Sequence, residues 1–360
     1  MSTKSLLRLF PEPAYITLPA IGLDVSDQSI KFVELVAKPR GLVLGHYGHV
    51  SIPLGIIASG KIVDQEKLVP ILAALKKDKN ISYVRVSLPE EQVYSFRLTL
   101  TDVTEKELRN TIEFSLEEHI PIAAAEATFD FAVISQTGNA YNVQVCAAQT
   151  VLIQNYMDVF AEAGLYPLSF ELEGTALARA LIKKGDLNTY MIVDFGETRT
   201  GISIVANGVT LFSSTVEIGG YAITKMIEKK YSIPFEEAEK MKRTFSLESS
   251  QSSQELFKIM TDGVGVLRDE INKHFIYWQT HKDDNGGDRS PIQKIFLCGG
   301  NANMYGVGDY LSQSLRFPVE LGNTWINVDG YTDEVPDMNK REALGYATAI
   351  GLVLGHFEND

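Results

Sequence analysis

The chain has 360 residues, of which 45% are hydrophobic and 22% are charged, with 28 Gly and 13 Pro. This composition excludes disordered, collagen-like and membrane-channel classes, and the length predicts two domains or one bilobed unit. The formal net charge of −13 opposes binding to a phosphate backbone, so no nucleic-acid partner is expected. Cys146 and Cys298 have no CxxC spacing, which excludes a zinc module and a disulfide framework and favours a reducing cytoplasm.

Two apolar stretches near the N terminus are not expected to span a membrane. Leu6, Leu7 and Phe10 are interrupted by Arg8, so they are too short a run for a signal peptide. They are expected to form a disordered or strap-like terminus that packs a few side chains, with contact to a membrane or a partner as the alternative. Residues 41–60 carry no Asp, Glu, Lys or Arg, but their glycines predict short strands and turns.

A weak internal repeat relates two segments about half the chain length apart. Ile21–Leu35 and Met191–Val205 each contain an apolar strand that ends in an aspartate, Asp24 or Asp194, then a polar stretch, then a second β-rich run. Each unit is predicted to be a β-hairpin whose turn presents N–H groups and hydroxyls to an anion. The repeat therefore predicts two similar halves that face each other.

Strands and helices alternate between and after the hairpins, which is typical of α/β lobes. Thr104 and Glu107 have capping-box spacing, and Pro121 ends the helix that they begin. Strands are predicted at Val84–Leu88, Val93–Leu100, Thr128–Ser135, Asn142–Ala148 and Ile295–Gly300. Helices are predicted at Thr104–Ile120, Gly174–Lys184, Ile223–Tyr231, Phe235–Arg243, Glu255–Thr280, Met304–Ser314 and Lys340–Gly355, with polar loops at 246–254 and 281–291. The order of elements places a compact βαββ-like insertion between residues 85 and 165.

The two hairpins carry the residue types that surround a polyphosphate. Lys31 supplies a point charge for phosphate, and Mg²⁺ commonly uses only one or two carboxylates, here Asp24 and Asp194. Hydroxyl and glycine residues in the turns add donors: Ser26, Ser29, Gly196, Thr198 and Thr200. Either hairpin alone is more often an ordinary turn, so the pairing of the two is what predicts a site.

A third motif is the strand that ends in Gly299-Gly300. Two glycines before a helix let the backbone approach a flat ligand, and the helix N terminus then faces its charged part. The alternative is a tight strand-to-helix turn without a ligand.

In this order, the motifs resemble those of the actin, Hsp70 and sugar-kinase superfamily. Asp24 with Lys31 resembles the phosphate-1 motif, Asp194-Phe-Gly196 resembles phosphate-2, and Gly299-Gly300 resembles the adenosine motif. Gly345–Gly351 looks like the second connecting helix. The resemblance covers about residues 20–355 and implies an α/β fold of the actin-like ATPase type, a duplicated ribonuclease H-like fold.

Within this superfamily the chain most resembles the PilM family, the FtsA-like ATPases of type IV pilus assembly, and related competence proteins. Three segments carry the resemblance: Tyr94–Pro121, Leu172–Ala180 and Ile218–Lys242. The family pattern differs at Ser26 and Asp27 in the first loop and at Glu197 and Arg199 in the second. Asp27 adds an acid beside a triphosphate, which is unfavourable unless it holds metal, and Arg199 could compensate.

The resemblance implies that ATP and Mg²⁺ bind between the lobes. Asp24 and Asp194 would hold the metal, and Glu173 and Asp194 would be catalytic. For Glu173, which resembles a water-orienting acid, a surface Glu at a helix start is the alternative. The implied cofactor-binding residues are Asp24, Ser26, Asp27, Ser29, Lys31, Gly196, Glu197, Thr198, Gly219, Gly220, Glu239, Lys242, Gly299, Gly300, Asn301 and Asn303. Glu239 and Lys242 would lie beside the ribose and adenine.

The resemblance also implies four subdomains. They are a first lobe (20–84, 166–190 and 335–360), an inserted subdomain (85–165), a second lobe (191–222 and 292–334) and a helical nucleotide-capping subdomain (223–291).

The implied function is that of a cytoplasmic ATP-binding scaffold at the inner face of the cytoplasmic membrane. It would be held there by the cytoplasmic tail of a PilN-like protein, with a motor ATPase and a platform protein as further partners. Hydrolysis, if any, would be slow, because no strong general base is visible. The alternatives are an FtsA-like polymerising protein and a small-molecule kinase of the same fold.

Overall fold

The computed structural model describes residues 18–38, 41–245, 247, 254–282, 287–328 and 336–357. Two five-stranded sheets dominate it, and each combines three antiparallel strands with two parallel ones. The first has the order β10-β6-β1-β2-β3 and the second the order β13-β12-β11-β14-β15. The first sheet consists of β1 (Ala20–Val25), β2 (Ser29–Lys38), β3 (Gly41–Ser51), β6 (Tyr83–Leu88) and β10 (Tyr166–Leu172). The second consists of β11 (Thr189–Phe195), β12 (Thr200–Ala206), β13 (Val209–Val216), β14 (Ile292–Cys298) and β15 (Val319–Leu321).

The two sheets repeat one topology, which confirms the predicted duplication. The first antiparallel pair places Asp24 opposite Lys31, and its counterpart places Asp194 opposite Gly201. In each sheet the strand that carries the aspartate also pairs in parallel with a later strand, β6 or β14. Both aspartates therefore lie at the carboxyl end of a central strand, where ligands of α/β sheets commonly bind.

Two hydrophobic cores hold the sheets. One face of the first sheet packs on α1 (Gln65–Lys79) and α3 (Thr150–Glu162). The second sheet shares a core with α5 (Gly220–Tyr231), α6 (Phe235–Thr244), α7 (Gln254–Thr280) and α8 (Val307–Leu315). We call the first sheet with its helices lobe I and the second sheet with its helices lobe II.

Two helices cross closely between the sheets, α4 (Glu173–Leu181) and α10 (Ala347–Leu354). Only glycine fits where these helices pack on each other and where α10 packs on β1. A Cβ on Gly351 would lie 1.8 Å from the carbonyl oxygen of Ala176 in α4, and one on Gly22 of β1 would lie 1.9 Å from that of Ala349. The close approach of backbones explains the small residues of the last helix.

The inserted subdomain is a three-stranded sheet of order β7-β9-β8 covered by α2 (Leu108–His119). Its strands are β7 (Val93–Thr101), β8 (Ala127–Thr137) and β9 (Ala140–Gln149). Ile112 and Leu116 of α2 and Val143 and Val145 of β9 share a separate core. The Thr104/Glu107 capping box is present, although it opens a 3₁₀ turn (Glu105–Glu107) before the helix proper.

Several predicted bounds were wrong, and in one case the reason involves a distant residue. The predicted helix Lys340–Gly355 is two helices, α9 (Lys340–Leu344) and α10, because the Leu344 carbonyl accepts the Gly299 N–H at 2.9 Å and leaves the helical pattern. The predicted helix from Met304 begins at Val307, after Gly306 with φ +77°. The helix predicted to reach Lys184 ends at Leu181, whereas the strand predicted to run into Gly299-Gly300 ends at Cys298, directly before the two glycines.

The remaining comparisons with the sequence predictions concern the first lobe, the subdomain boundaries and the N terminus. No helix was predicted for α1 or α3, although Asp64 caps α1. Residues 41–60 form β3, the short β4 (Ile57–Ala58) and turns, and β4 pairs with β5 (Lys61–Ile62). The subdomain boundaries stay a prediction, but sheet pairing assigns β6 to lobe I. The Leu6/Leu7/Phe10 patch lies outside the described residues, as do parts of both predicted polar loops.

Candidate functional site

The first hairpin turn is closed by its own hydroxyls. Ser26 Oγ donates to the Ser29 carbonyl at 3.0 Å and accepts the Ser29 N–H at 3.2 Å. Asp24, just before the turn, accepts a hydrogen bond from Ser87 Oγ at 3.0 Å, and Ser87 in turn accepts the Val25 N–H. Ser87 is fully buried on β6, so it fixes the Asp24 carboxylate at the end of the sheet.

Asp27 is bonded to protein groups. Its two carboxylate oxygens accept the N–H groups of Ser59 and Gly60, at 3.2 and 3.0 Å. Arg199, from the second hairpin, lies 3.8 Å from the same carboxylate and pairs with Glu91. The predicted compensation of Asp27 by Arg199 therefore has a structural basis, and the pair joins the two hairpins across the lobes.

The second hairpin is held by helix α5. The Gly196 carbonyl accepts the Gly220 N–H at 3.1 Å and the Asn301 side-chain amide at 2.7 Å, and the Glu197 carbonyl accepts the Tyr221 N–H at 2.8 Å. A Cβ on Gly219 would lie 2.2 Å from the Glu197 carbonyl oxygen and within 2.6 Å of Thr198. The first turn of α5 thus fixes the second loop.

Four acids surround Glu173 at the start of α4, between the hairpins. Burial, and then the charges of Asp24 and Asp194, raise the pKa of Glu173 well above its ordinary value, and Glu90 and Asp27 add to this. Burial also raises the pKa of Asp194 from 3.8 to about 6; Lys31 opposes this shift and Asp24 adds to it. Glu173 is partly buried among acids and is therefore not a freely solvated surface residue.

This cluster has an excess of negative charge for a ligand to offset. Lys31 is the cation that acts on Asp194, and four carboxylates act on Glu173. A divalent cation with its phosphates would relieve the repulsion, because it places positive charge among the acids. Among the described residues, however, no group of three or more His, Cys, Asp or Glu side chains is arranged to ligate a metal. A metal here would therefore keep most of its waters.

Glu239 and Lys242 form a buried pair on α6. Lys242 is 2% exposed, and its Nζ lies 2.8 Å from Glu239 Oε2 and donates to the Gly220 carbonyl at 3.1 Å. Burial lowers the pKa of Lys242 despite the opposing Glu239 charge. Burial would raise the pKa of Glu239, but hydrogen bonds from Lys242 and Thr224 outweigh it and lower that pKa. The pair is tied to the α5 turn that supports the second loop.

The Gly299-Gly300 turn packs closely against Asp194. Gly299 has φ +90°, and a Cβ there would lie 2.3 Å from Asp194 Oδ1. Gly300 has open space around its Cβ position, and Asn301 follows in a short 3₁₀ turn. The Asn303 side-chain oxygen is buried and has no hydrogen-bond partner in the described part of the chain, so it is available to a ligand donor.

The predicted residues divide into two groups. Asp24, Lys31, Glu173 and Asp194 act on one another electrostatically. The remaining residues line the loops or support them, and Ser26, Ser29 and Asp27 use their polar atoms on protein partners. Sequence reasoning missed Ser87, Glu90 and Glu91. Their only local signal is position: Ser87 lies near the end of the buried strand β6, and Glu90 and Glu91 follow that strand as the Gly299-Gly300 motif follows β14.

Two duplicated sheets, with an acidic hairpin from each facing a common site and two helices crossing between them, define an actin-like fold. Solved structures with this fold are similar to the structure of this chain. The MreB5 protein of Spiroplasma citri bound to ADP superimposes with a TM-score of 0.54 at 14% identity, covering 91% of this chain and 94% of that one. The fold prediction is thereby confirmed.

The particular family follows from the sequence. The sequence model of the family described as "Type IV pilus assembly protein PilM" matches residues 22–357, so the chain belongs to the PilM family. The structure named "PilM-PilN type IV pilus biogenesis complex" has a TM-score of 0.77 at 19% identity and covers 95% of this chain and 99% of that one. The cell division protein FtsA of Neisseria meningitidis serogroup B is 22% identical over 93% of this chain and 86% of its own length.

Proposed function

We propose that this pilus assembly protein binds an adenine nucleotide with Mg²⁺ between its lobes. The observation that carries the proposal is the cluster of Asp24, Glu173 and Asp194 between the two hairpins, in which burial and mutual repulsion raise the pKa of two of the three acids. Such a cluster lowers its free energy when a cation arrives. The MreB5 structures of the same fold are named as bound to ADP and AMPPNP, which supports an adenine nucleotide.

The nucleotide would be held as follows. Asp24 and Asp194 hold a hydrated Mg²⁺, Lys31 neutralises phosphate charge, and Gly299-Gly300 lies against the adenosine. Glu239 and Lys242 stand near the ribose side, where they now bond to each other. Glu173 is the acid placed to orient a water. Burial and the neighbouring carboxylates raise the pKa of Glu173 in the ligand-free protein, and a bound cation would oppose that shift. Turnover, if any, is slow, because positioning supplies most of the rate.

We further propose that the chain is a cytoplasmic scaffold that binds the cytoplasmic tail of a PilN-like membrane protein. A structural neighbour is named as a PilM-PilN complex. The inserted subdomain offers a place for an extended peptide, because β7 and β8 each pair with β9 on one side only among the described residues. Val133 and Ile134 on β8 are 46% and 36% exposed. No helix in the described part of the chain is long and apolar enough to cross a bilayer, and attachment through a partner needs none.

Binding of a fluorescent ATP analogue with Mg²⁺ tests the nucleotide proposal. We expect binding by the wild type and a loss of about 100-fold in affinity for Asp194→Ala, because the cation loses one of its few carboxylates. Asp262→Ala, at an exposed acid on α7, is the matched control and should bind like the wild type. Equal binding by both variants, or none by the wild type, would refute the proposal. Rapid phosphorylation of a sugar would favour a kinase instead.

A further inference from the structure

Glu90 touches three parts of the molecule although it lies outside both hairpins. It follows β6 in a 3₁₀ turn (Glu90–Gln92) and is 9% exposed. Its Oε1 accepts the Gly174 N–H in the first turn of α4 at 2.7 Å, and its Oε2 accepts the hydroxyl of Ser213 on β13 at 2.6 Å. Its carbonyl accepts the N–H of Val93, the first residue of β7. One residue thus joins lobe I, lobe II and the inserted subdomain.

The contact between Glu90 and the start of α4 is close. A Cβ on Gly174 would lie 2.9 Å from Glu90 Oε1 and 2.6 Å from Ser203 Oγ of lobe II. Glu173, the acid among the phosphate-loop carboxylates, is the preceding residue. Any movement of Glu90 relative to lobe I therefore displaces the start of α4 and, with it, Glu173.

Burying the Glu90 carboxylate at this position costs free energy. Burial raises the pKa of Glu90, and the bonds from Ser213 and Gly174 oppose that shift without cancelling it. Burying an ionisable side chain costs free energy that an apolar residue of similar size would not cost. Both hydrogen-bond partners of Glu90 are donors, and lobe II supplies one of them, Ser213. The carboxylate therefore keeps both bonds only when lobe II lies where it does in this structure.

The turn that carries Glu90 is also fixed to both hairpin loops. Glu91 pairs with Arg199 of the second loop. Pro89 packs on Gly60, where a Cβ would lie 2.1 Å from its ring, and the Gly60 N–H bonds to Asp27 of the first loop. A change in the angle between the lobes therefore reaches this turn from both sides.

We propose that Glu90 is a positioning residue that couples the nucleotide site to the inserted subdomain. Through Ser213, a movement of lobe II shifts the Glu90 turn, which moves Glu173 on one side and the first residues of β7 on the other. The inference rests on the nucleotide binding proposed above. Because coupling free energies are reciprocal, a partner that binds the inserted subdomain changes nucleotide affinity by the same factor.

Hydrogen–deuterium exchange of the full chain, with and without Mg²⁺ and a fluorescent ATP analogue, tests the coupling. In the wild type we expect the nucleotide to slow exchange about threefold or more in the peptide that covers β7. Ser213→Ala should bind the analogue within about threefold of the wild-type affinity but lose this slowing, since its hydroxyl no longer reaches Glu90. Ser213→Thr, which keeps a hydroxyl, should restore it.

The neighbouring Ser214 provides the matched control, because it makes no side-chain hydrogen bond to the described residues. Ser214→Ala should slow exchange in β7 like the wild type. The inference is overturned if nucleotide binds the wild type without changing β7, or if Ser213→Ala responds as the wild type does; the proposed function then stands. If the wild type binds no nucleotide, the proposed function fails and the coupling fails with it.

Discussion

The two hairpins share one backbone plan but place their aspartates in different surroundings. Asp24 lies beside Ser87 of the parallel strand β6, whose hydroxyl donates to it at 3.0 Å. Asp194 lies in register with Cys298 of the equivalent strand β14, and Cys298 is a fully buried thiol. The pKa of Asp194 is raised to about 6 by burial, with Lys31 opposing and Asp24 adding to the shift.

The difference shows that duplication fixes where the acids lie but not which groups surround them. A hydroxyl stabilises the charge of the acid that it bonds, whereas a thiol is a weak donor and does so poorly. One hairpin therefore holds an acid that is bonded to a protein hydroxyl, and the other holds an acid whose charge is costly until a cation arrives. The next experiments test this asymmetry, from the largest expected effect to the smallest.

The largest effect should come from the backbone behind Asp194. Gly299→Ala places a Cβ 2.3 Å from Asp194 Oδ1 at φ +90°, so we expect the free energy of unfolding to fall by about 2–5 kcal/mol. Gly300→Ala is the control, because its Cβ meets open space, and it should cost less than about 1 kcal/mol. Urea unfolding measures both. Equal losses would mean that the second loop is not held by this close approach.

Asp194→Asn should stabilise the ligand-free protein at neutral pH. The raised pKa means that the folded state binds more protons than the unfolded state between about pH 4 and 6, so wild-type stability falls as pH rises through that window. The asparagine does not ionise, so at pH 7 the variant should exceed the wild type by about 1–3 kcal/mol.

Well below pH 3.8 this pH-dependent gain should vanish, because Asp194 is then protonated in both states. Asp24→Asn provides the comparison. It removes a charge that raises the pKa of Asp194 and Glu173, but it also replaces an acid that accepts the Ser87 hydroxyl, so a smaller gain at neutral pH is expected. Chemical unfolding at several pH values, without nucleotide or Mg²⁺, measures the difference. A gain from Asp24→Asn as large as that from Asp194→Asn would remove the asymmetry.

The sequence predicted the features of this fold that local patterns encode. The two hairpins were found because each apolar strand ends in an aspartate before a polar turn. The Thr104/Glu107 capping box was found because both partners lie within one turn of the helix. Asp64, which caps α1, is a similar local signal.

Contacts between distant residues account for what the sequence did not show. Glu90 resembles a solvated turn residue in sequence, and its partners Gly174 and Ser213 lie 84 and 123 positions away. The break between α9 and α10 depends on a bond from the N–H of Gly299, just after β14, to the Leu344 carbonyl. No periodicity in the sequence signals the burial of Glu90 or that bond, because both arise only when the lobes assemble.

The smallest expected effect tests whether one side chain causes the asymmetry. Cys298→Ser gives β14 a hydroxyl at the position that Ser87 holds on β6, so we expect it to lower the pKa of Asp194 by about one unit. The fall of stability between pH 4 and 6 should shrink by about 1 kcal/mol, over and above any constant cost of the polar group in the core. Cys146→Ser, in the inserted subdomain, should leave the pH dependence unchanged. If Cys298→Ser also leaves it unchanged, the neighbour on the parallel strand does not set the ionisation of the acid. Burial alone would then explain why the second hairpin differs from the first.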